Sequence, residues 1–318
     1  MEAQIMKSRD IKPSSLKTYM SSLKTLQARI NPEAKGDLIN TKFLHDYNKV
    51  MDIIADDKIT NKKNKITSIL VALNSDTPKN DKLIEKYNIQ LKELSEQYLL
   101  QLKTQKKTDT QDENWIQYSD MIDMINTIMK EVKTTGIRNK PELNNKEFDL
   151  LQQLVILRTY MASPLRNDFA DMRVLSRKAF NDLDKKDEAN YLVVDNSTKK
   201  EFHINQFKNL RIIGNKIFKV PATLNAVLNI WLKYNRSGWF LVRSDRIHAM
   251  NPNGITKFLN KIFKKHVGKK ISTSMIRHIV ISHMLKDKPT IEEKETEEKE
   301  VENKFLHSNE MNNLYRKI

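Results

Sequence analysis

The chain contains no cysteine, which excludes both a disulfide framework and a thiolate metal site. Its seven histidines do not supply a metal site either, because none stands in a His-x-x-x-His pair or beside suitably spaced glutamates. His278 and His283 are five residues apart, on different faces of a helix. No apolar run approaches the roughly 18 residues that a membrane span needs, and the opening MEAQIMKSRD has no apolar centre of the kind a signal peptide carries. These absences predict a soluble, reduced, intracellular protein without a membrane partner. There is no internal repeat, and only EEKETEEKEVE, residues 292–302, is low in complexity.

What is abundant is positive charge. Lysine and arginine number 56 against 40 acidic residues, a formal charge of +16 over 318 residues. That balance favours a polyanionic partner, with nucleic acid the first candidate. The length allows two domains, since single cores tend to split beyond about 250 residues.

Along the chain, Pro13, Ser14 and Ser15 open a helix whose Leu16, Met20, Leu23, Leu26 and Ile30 recur at intervals of three and four. The same spacing returns in Ile66, Ile69, Leu70 and Leu73. Lys58, Lys62, Lys63 and Lys65 gather on the approach to that second helix, where they suit backbone phosphates or form its solvated start. Residues 79–104 read as a long helix, and KTQKKTDTQDEN after them, with no apolar period, reads as a linker. Trp115 then begins an amphipathic stretch and is expected to be a packing anchor. The predicted domains are therefore 1–108, helical and DNA-binding, and 109–318.

In the second domain EFDLLQQLVILRTYM is apolar almost all round, as a central helix should be, and Pro164 ends it. NYLVVD, KEFHIN and KIFKVP, separated by turn residues, predict a small three-stranded antiparallel sheet. Helices return with LNAVLNIWLKY, with ITKFLNKIFKKH, whose Lys257, Lys261, Lys264 and Lys265 oppose a core face, with a helix bearing Arg277, and with a short terminal helix. The fold class is mainly α with a small sheet, and Lys62, Lys63, Lys65, Lys257 and Lys261 are the candidate DNA contacts.

Arg166 in SPLRNDFADM, Arg277 in STSMIRHIVISHML, and His307 with Tyr315 in FLHSNEMNNLYRKI follow one another in an order that suits phosphoryl transfer. Together these segments resemble the catalytic domain of tyrosine recombinases, the phage and virus integrase family, which shares its chemistry with type IB topoisomerases. The resemblance spans roughly residues 145–318, and more loosely the helical N-terminal part, which looks like the family's core-binding domain. It implies a C-shaped, two-domain clamp on double-stranded DNA, a homo-tetramer on that DNA, no cofactor, and a home in the cytoplasm, nucleus or viral factory of a host cell.

A phosphodiester can be cut without a metal if other groups neutralise its non-bridging oxygens. Guanidinium is always charged and donates two parallel hydrogen bonds to phosphate, which is the task assigned to Arg166 and Arg277. Tyr315 is the expected nucleophile, although a phenol of pKa near 10 needs neighbouring cations to lose its proton. His307 can accept that proton or bind a phosphate oxygen. The resemblance implies a 3′-phosphotyrosine intermediate and a lysine that protonates the leaving 5′ oxygen. Lys208 best matches that position, and Lys199, Lys200 and Lys216 are its rivals.

Three departures from the family pattern stand out. Ser274 occupies the histidine position of His-x-x-Arg. Phe169 replaces the acidic residue three positions after the first arginine, leaving Asp168 or Asp171 to orient it. Arg277 and His307 are unusually far apart, with the glutamate-rich stretch between, which leaves delivery of Tyr315 in cis or to a neighbouring protomer open. Religation to a new strand is recombination, and religation to the same strand is topoisomerase action. A third reading is a DNA-binding architectural protein that keeps the fold with weakened catalysis.

Overall fold

The structure is a computed structural model that describes residues 1–33, 38, 40–286 and 317. It divides into two compact units, Met1–Thr104 and Gln105–Ile318, a boundary four residues before the one read from the linker composition. No described helix is long and apolar enough to cross a membrane.

The first unit consists of α1 (Glu2–Ser8), α2 (Pro13–Ile30), α3 (Tyr47–Ile53), α4 (Ile59–Leu73) and α5 (Asp81–Lys103). Pro13 stands in the first turn of α2, where its missing N–H costs nothing. Leu23 and Leu26 of α2 pack against Ile66, Ile69 and Leu73 of α4, and Tyr87 of α5 closes that core. The Tyr87 hydroxyl donates to the Leu44 carbonyl at 2.9 Å, so the phenol is buried without an orphaned donor.

The second unit begins with α6 (Asp109–Glu113) and α7 (Tyr118–Thr134). The expected linker is thus partly helical, because Thr108 and Gln111 form a capping box that starts α6. Next comes α8 (Asn145–Ala162), the central helix, with Leu151, Leu154, Val155 and Ile156 all buried. Each such aliphatic side chain contributes about 1.5–3 kcal/mol on leaving water. Gln152, buried on the same helix, pairs with one backbone unit: its amide donates to the Val242 carbonyl and its carbonyl accepts from the Val242 N–H, at 3.1 and 2.9 Å. Trp115 packs against this core, with the Lys107 ammonium 4.8 Å from its ring centre.

The sheet follows: β1 (Arg173–Ser176), α9 (Arg177–Asn181), β2 (Tyr191–Val194), β3 (Lys200–Ile204), α10 (Leu210–Ile213) and β4 (Lys216–Lys219). Its order is β1-β2-β3-β4. The three expected strands pair antiparallel, Val194 facing Lys200 and Ile204 facing Lys216. The expectation of a three-stranded antiparallel sheet is nevertheless corrected, because β1 adds a fourth strand parallel to β2, with Arg173 facing Tyr191. RVLS is only four residues long and runs straight into the Ser176 cap of α9, too short for alternation to declare a strand. The unit continues through α11 (Ala222–Tyr234), α12 (Pro252–Val267) and α13 (Thr273–Met284).

The register gives the sheet two distinct ends. Arg173, Tyr191, Ile204 and Lys216 mark one, and Ser176, Val194, Lys200 and Lys219 mark the other.

Candidate functional site

The Arg166 segment is built by the end of α8. Pro164 forbids further helix, and Ser163 caps the last turn. The Tyr160 hydroxyl then donates to the Arg166 carbonyl at 2.8 Å, and the Arg166 N–H donates to Asp168 Oδ2 at 3.1 Å. Phe169 anchors the loop from below, edge-on to Tyr160 and Phe202 with ring centres 5.4 and 5.2 Å away. Phe169 is therefore a packing anchor, with the carboxyl of Asp168 beside it. Asp171 adopts a left-handed backbone, φ +50°, and donates its N–H to the Met250 carbonyl at 3.1 Å as the chain turns into β1. Burial pushes its carboxyl above the ordinary range, with Arg243 opposing.

Asp168 joins the two arginines electrostatically. Burial pushes its carboxyl above the ordinary range, while Arg166 and Arg277, named in order of effect, both pull it down. Tyr160 is raised well above a free phenol by burial and by Asp168, with Arg277 opposing. Tyr160 therefore remains a protonated hydroxyl donor. Arg277 lies on α13 and is 1 % exposed; Ser274, one turn earlier on the same helix, is exposed. Arg166 is half-buried.

The sheet register separates the candidate lysines. Asn190, which immediately precedes β2, donates its side-chain amide to the Asp168 carbonyl and to the Gln206 carbonyl, at 2.8 and 2.9 Å. The Arg166 loop thus adjoins the end of the sheet from which Gln206 and Lys208 depart. Lys208 is exposed in the turn before α10, and Lys216, facing Ile204, stands at the same end. Lys199 and Lys200 belong to the opposite turn, about 13 Å away along β3 at 3.3 Å per residue. Lys199 pairs with Asp195 at 3.2 Å. Lys200 is only 3 % exposed and its ammonium donates to Asn225 Oδ1 and Asn229 Oδ1 at 2.7 and 2.6 Å, and to the Asn196 and Ser197 carbonyls at 3.2 Å. Burial lowers its pKa, but these partners make it a turn staple.

His307 and Tyr315 lie outside the described residues. Lys317, two positions after the tyrosine, donates its backbone N–H to Ser282 Oγ on α13 at 2.8 Å. A separate cavity of about 610 Å³ beside it is lined by Trp115, Tyr118, Ile279, Ser282 and His283, and the Tyr118 and His283 rings stack at 3.9 Å.

The basic surface residues fare differently. On α12 Lys257, Lys261, Lys264 and Lys265 are exposed while Ile255, Leu259, Ile262 and Phe263 are buried; Lys261 has only a 3.7 Å contact with Asp149, largely in solvent. On α4 Lys62 is half-buried and Lys63 lies 4.8 Å from the Tyr98 ring centre. Lys65 has a side chain 12 % exposed that bridges Asp57, which Arg29 also binds at 3.0 Å. Burial opposes ionisation of Asp57, but these two cations overcome it and hold the carboxyl below its usual range.

No protein-family model matches the chain, and no curated protein matches it. Tyr160, Asp168 and Asn190 are the neighbours of the candidate arginines that the sequence passed over or left among alternatives. Asn190 had no local signal at all, because its partners lie far away in sequence.

Proposed function

We propose that the protein cuts and rejoins DNA strands through a covalent phosphotyrosine, as a tyrosine recombinase or integrase. The observation that carries the reading is Asp168 under the influence of both Arg166 and Arg277, at the sheet end from which the Lys208 turn leaves. Arg166 and Arg277, two of the residues singled out by their order in the sequence, thus act on one carboxylate, in a unit with an exposed lysine face on α12.

In the proposed reaction the Tyr315 oxygen attacks phosphorus, the new P–O bond to tyrosine forms and the bond to the 5′ oxygen breaks. His307 or water takes the phenol proton, and Lys208 supplies one to the departing 5′ oxygen. Arg166 and Arg277 hold the non-bridging oxygens as charge accumulates there. One phosphoester replaces another, so no ATP is needed, and the reverse attack by a 5′ hydroxyl rejoins the strand. Ser274 can donate a hydrogen bond to the phosphate but cannot shuttle a proton. Lys317, two residues after Tyr315, is held at Ser282, about 7.5 Å along the helix from Arg277.

The test is a pool of nicked duplexes of randomised sequence, in which cleavage releases the short fragment that lies between the scissile bond and the nick and bears the 5′ hydroxyl, and so traps the protein. We expect a denaturant-resistant protein–DNA adduct with wild type and none with Tyr315→Phe. Sequencing the trapped ends identifies the site, and strand exchange between two such sites separates a recombinase from a topoisomerase, which would relax plasmids alone. Tight binding without an adduct would replace the enzymatic reading with the architectural one.

A further inference from the structure

Asn190 is 7 % exposed, and both ends of its side chain are fully used. Its Nδ2 donates to the carbonyls of Asp168 and Gln206, at 2.8 and 2.9 Å. Its Oδ1 accepts the backbone N–H groups of Asn205 and Gln206, at 2.8 and 2.7 Å. Its own carbonyl accepts the Arg173 N–H at 3.0 Å, which fixes the residue at the start of the β1–β2 pairing. One side chain therefore ties the loop of Arg166 and Asp168 to the backbone two residues before Lys208. Such a clasp is more than a turn former needs, because the strand pairing already orders Ile204 against Lys216.

We infer that Asn190 is the positioning residue that sets the Lys208 ammonium against the phosphate held by Arg166. The inference rests on the reading under Proposed function. Donation to Asp168 fixes the arginine side, and acceptance from Asn205 and Gln206 fixes the lysine side. A displacement of about 1 Å between such groups costs about 100-fold in rate. Opening either side of the clasp shifts the lysine relative to the phosphate, which stays with Arg166, so the step that uses the lysine proton should suffer most, since a good leaving group departs without it.

Asn190→Asp keeps the acceptor but places a carboxylate oxygen against two carbonyl oxygens, so the clasp opens on one side. Single-turnover adduct formation is measured on the best duplex from the pool, once with the natural 5′ oxygen at the scissile bond and once with sulfur in its place. A thiol has a pKa of about 8.5, so the thiolate leaves unprotonated. Lys200→Met, at the far end of β3, serves as the control for lost stability, and thermal unfolding is followed for each variant.

The expected result is a loss of about 100-fold on the oxygen substrate for Asn190→Asp, shrinking to about 3-fold or less on the sulfur substrate, with Lys200→Met near wild type on both. Equal losses on both substrates, or no loss on the oxygen substrate, would overturn the inference while leaving the enzymatic reading intact. Absence of adduct with wild type would overturn the enzymatic reading, and this inference with it. Should Asn190→Asp not fold, Asn190→Ser carries the same expectation and the same contrary results.

Discussion

Lys200 and Lys208 stand eight positions apart in one basic stretch, and the structure gives them opposite surroundings, one buried and one exposed. Replacing Lys200 by methionine keeps the length and apolar stem but removes an ammonium that four oxygens share. Charge-assisted hydrogen bonds contribute about 1.5–3 kcal/mol each before the cost of burying the charge. The two bonds to asparagine oxygens, at 2.7 and 2.6 Å, dominate, and the two at 3.2 Å add less. Burial of the ammonium, which already lowers its pKa, subtracts from that sum. A net loss of about 3 kcal/mol follows, equivalent to a fall of about 6–12 °C in the unfolding temperature of a unit this size.

Lys208→Ala removes an exposed side chain and should change stability by no more than about 0.5 kcal/mol, yet it should slow adduct formation by about 100-fold or more, the usual contribution of a general acid. Calorimetry and the trapped-adduct assay on the two variants give a crossed pattern: stability lost without rate in one, rate lost without stability in the other. A Lys200→Met protein with wild-type melting and abolished cleavage would refute the reasoning, and would return the proton-donor role to the far turn.

Three further outcomes are expected. Because burial raises Asp168 in the folded state, its ionised form costs stability, which is fully present below pH 3.8 and declines as pH rises through the folded value. Asp168→Asn should therefore be at least as stable as wild type at pH 7 in urea titrations, with the advantage vanishing below pH 3.8; a large loss at pH 7 would mean that Arg166 and Arg277 outweigh burial. Arg277→Lys should retain charge but lose the planar fork, so adduct formation should fall by about 100- to 1000-fold, close to Arg277→Ala. The double change Lys257→Gln with Lys261→Gln should reduce the salt dependence of duplex binding by about 1.8 in log–log slope, whereas Lys65→Gln should leave that slope unchanged and lower the melting temperature instead.

The helices that face one core along a single stripe were legible from spacing. Leu16, Leu23 and Leu26, then Ile66, Ile69 and Leu73, are buried as their intervals of three and four require. On α12 the lysines and the apolar residues divide as their positions predict. The capping box of α6 was equally local, and it was hidden only by reading KTQKKTDTQDEN for composition rather than for Thr108 and Gln111. Strand β1 was not legible, because four residues carry too little alternation and its hydrogen-bond partner, β2, comes only after α9.

Residue order and chemical type, which a linear chain records directly, determined the amphipathic helices, the excess of cations and the ordered set of Arg166, Lys208, Arg277, His307 and Tyr315. Which lysines belong to the Asn190 end of the sheet was decided only in three dimensions, since the register puts Lys216 and the turn of Lys208 there and Lys199 and Lys200 at the other end. The same holds for Asp168 over Asp171 and for the withdrawal of Lys65 to Asp57. Charge and hydrogen-bond partnership depend on distance through space, and a buried group acquires its role from whichever distant segment folding brings beside it.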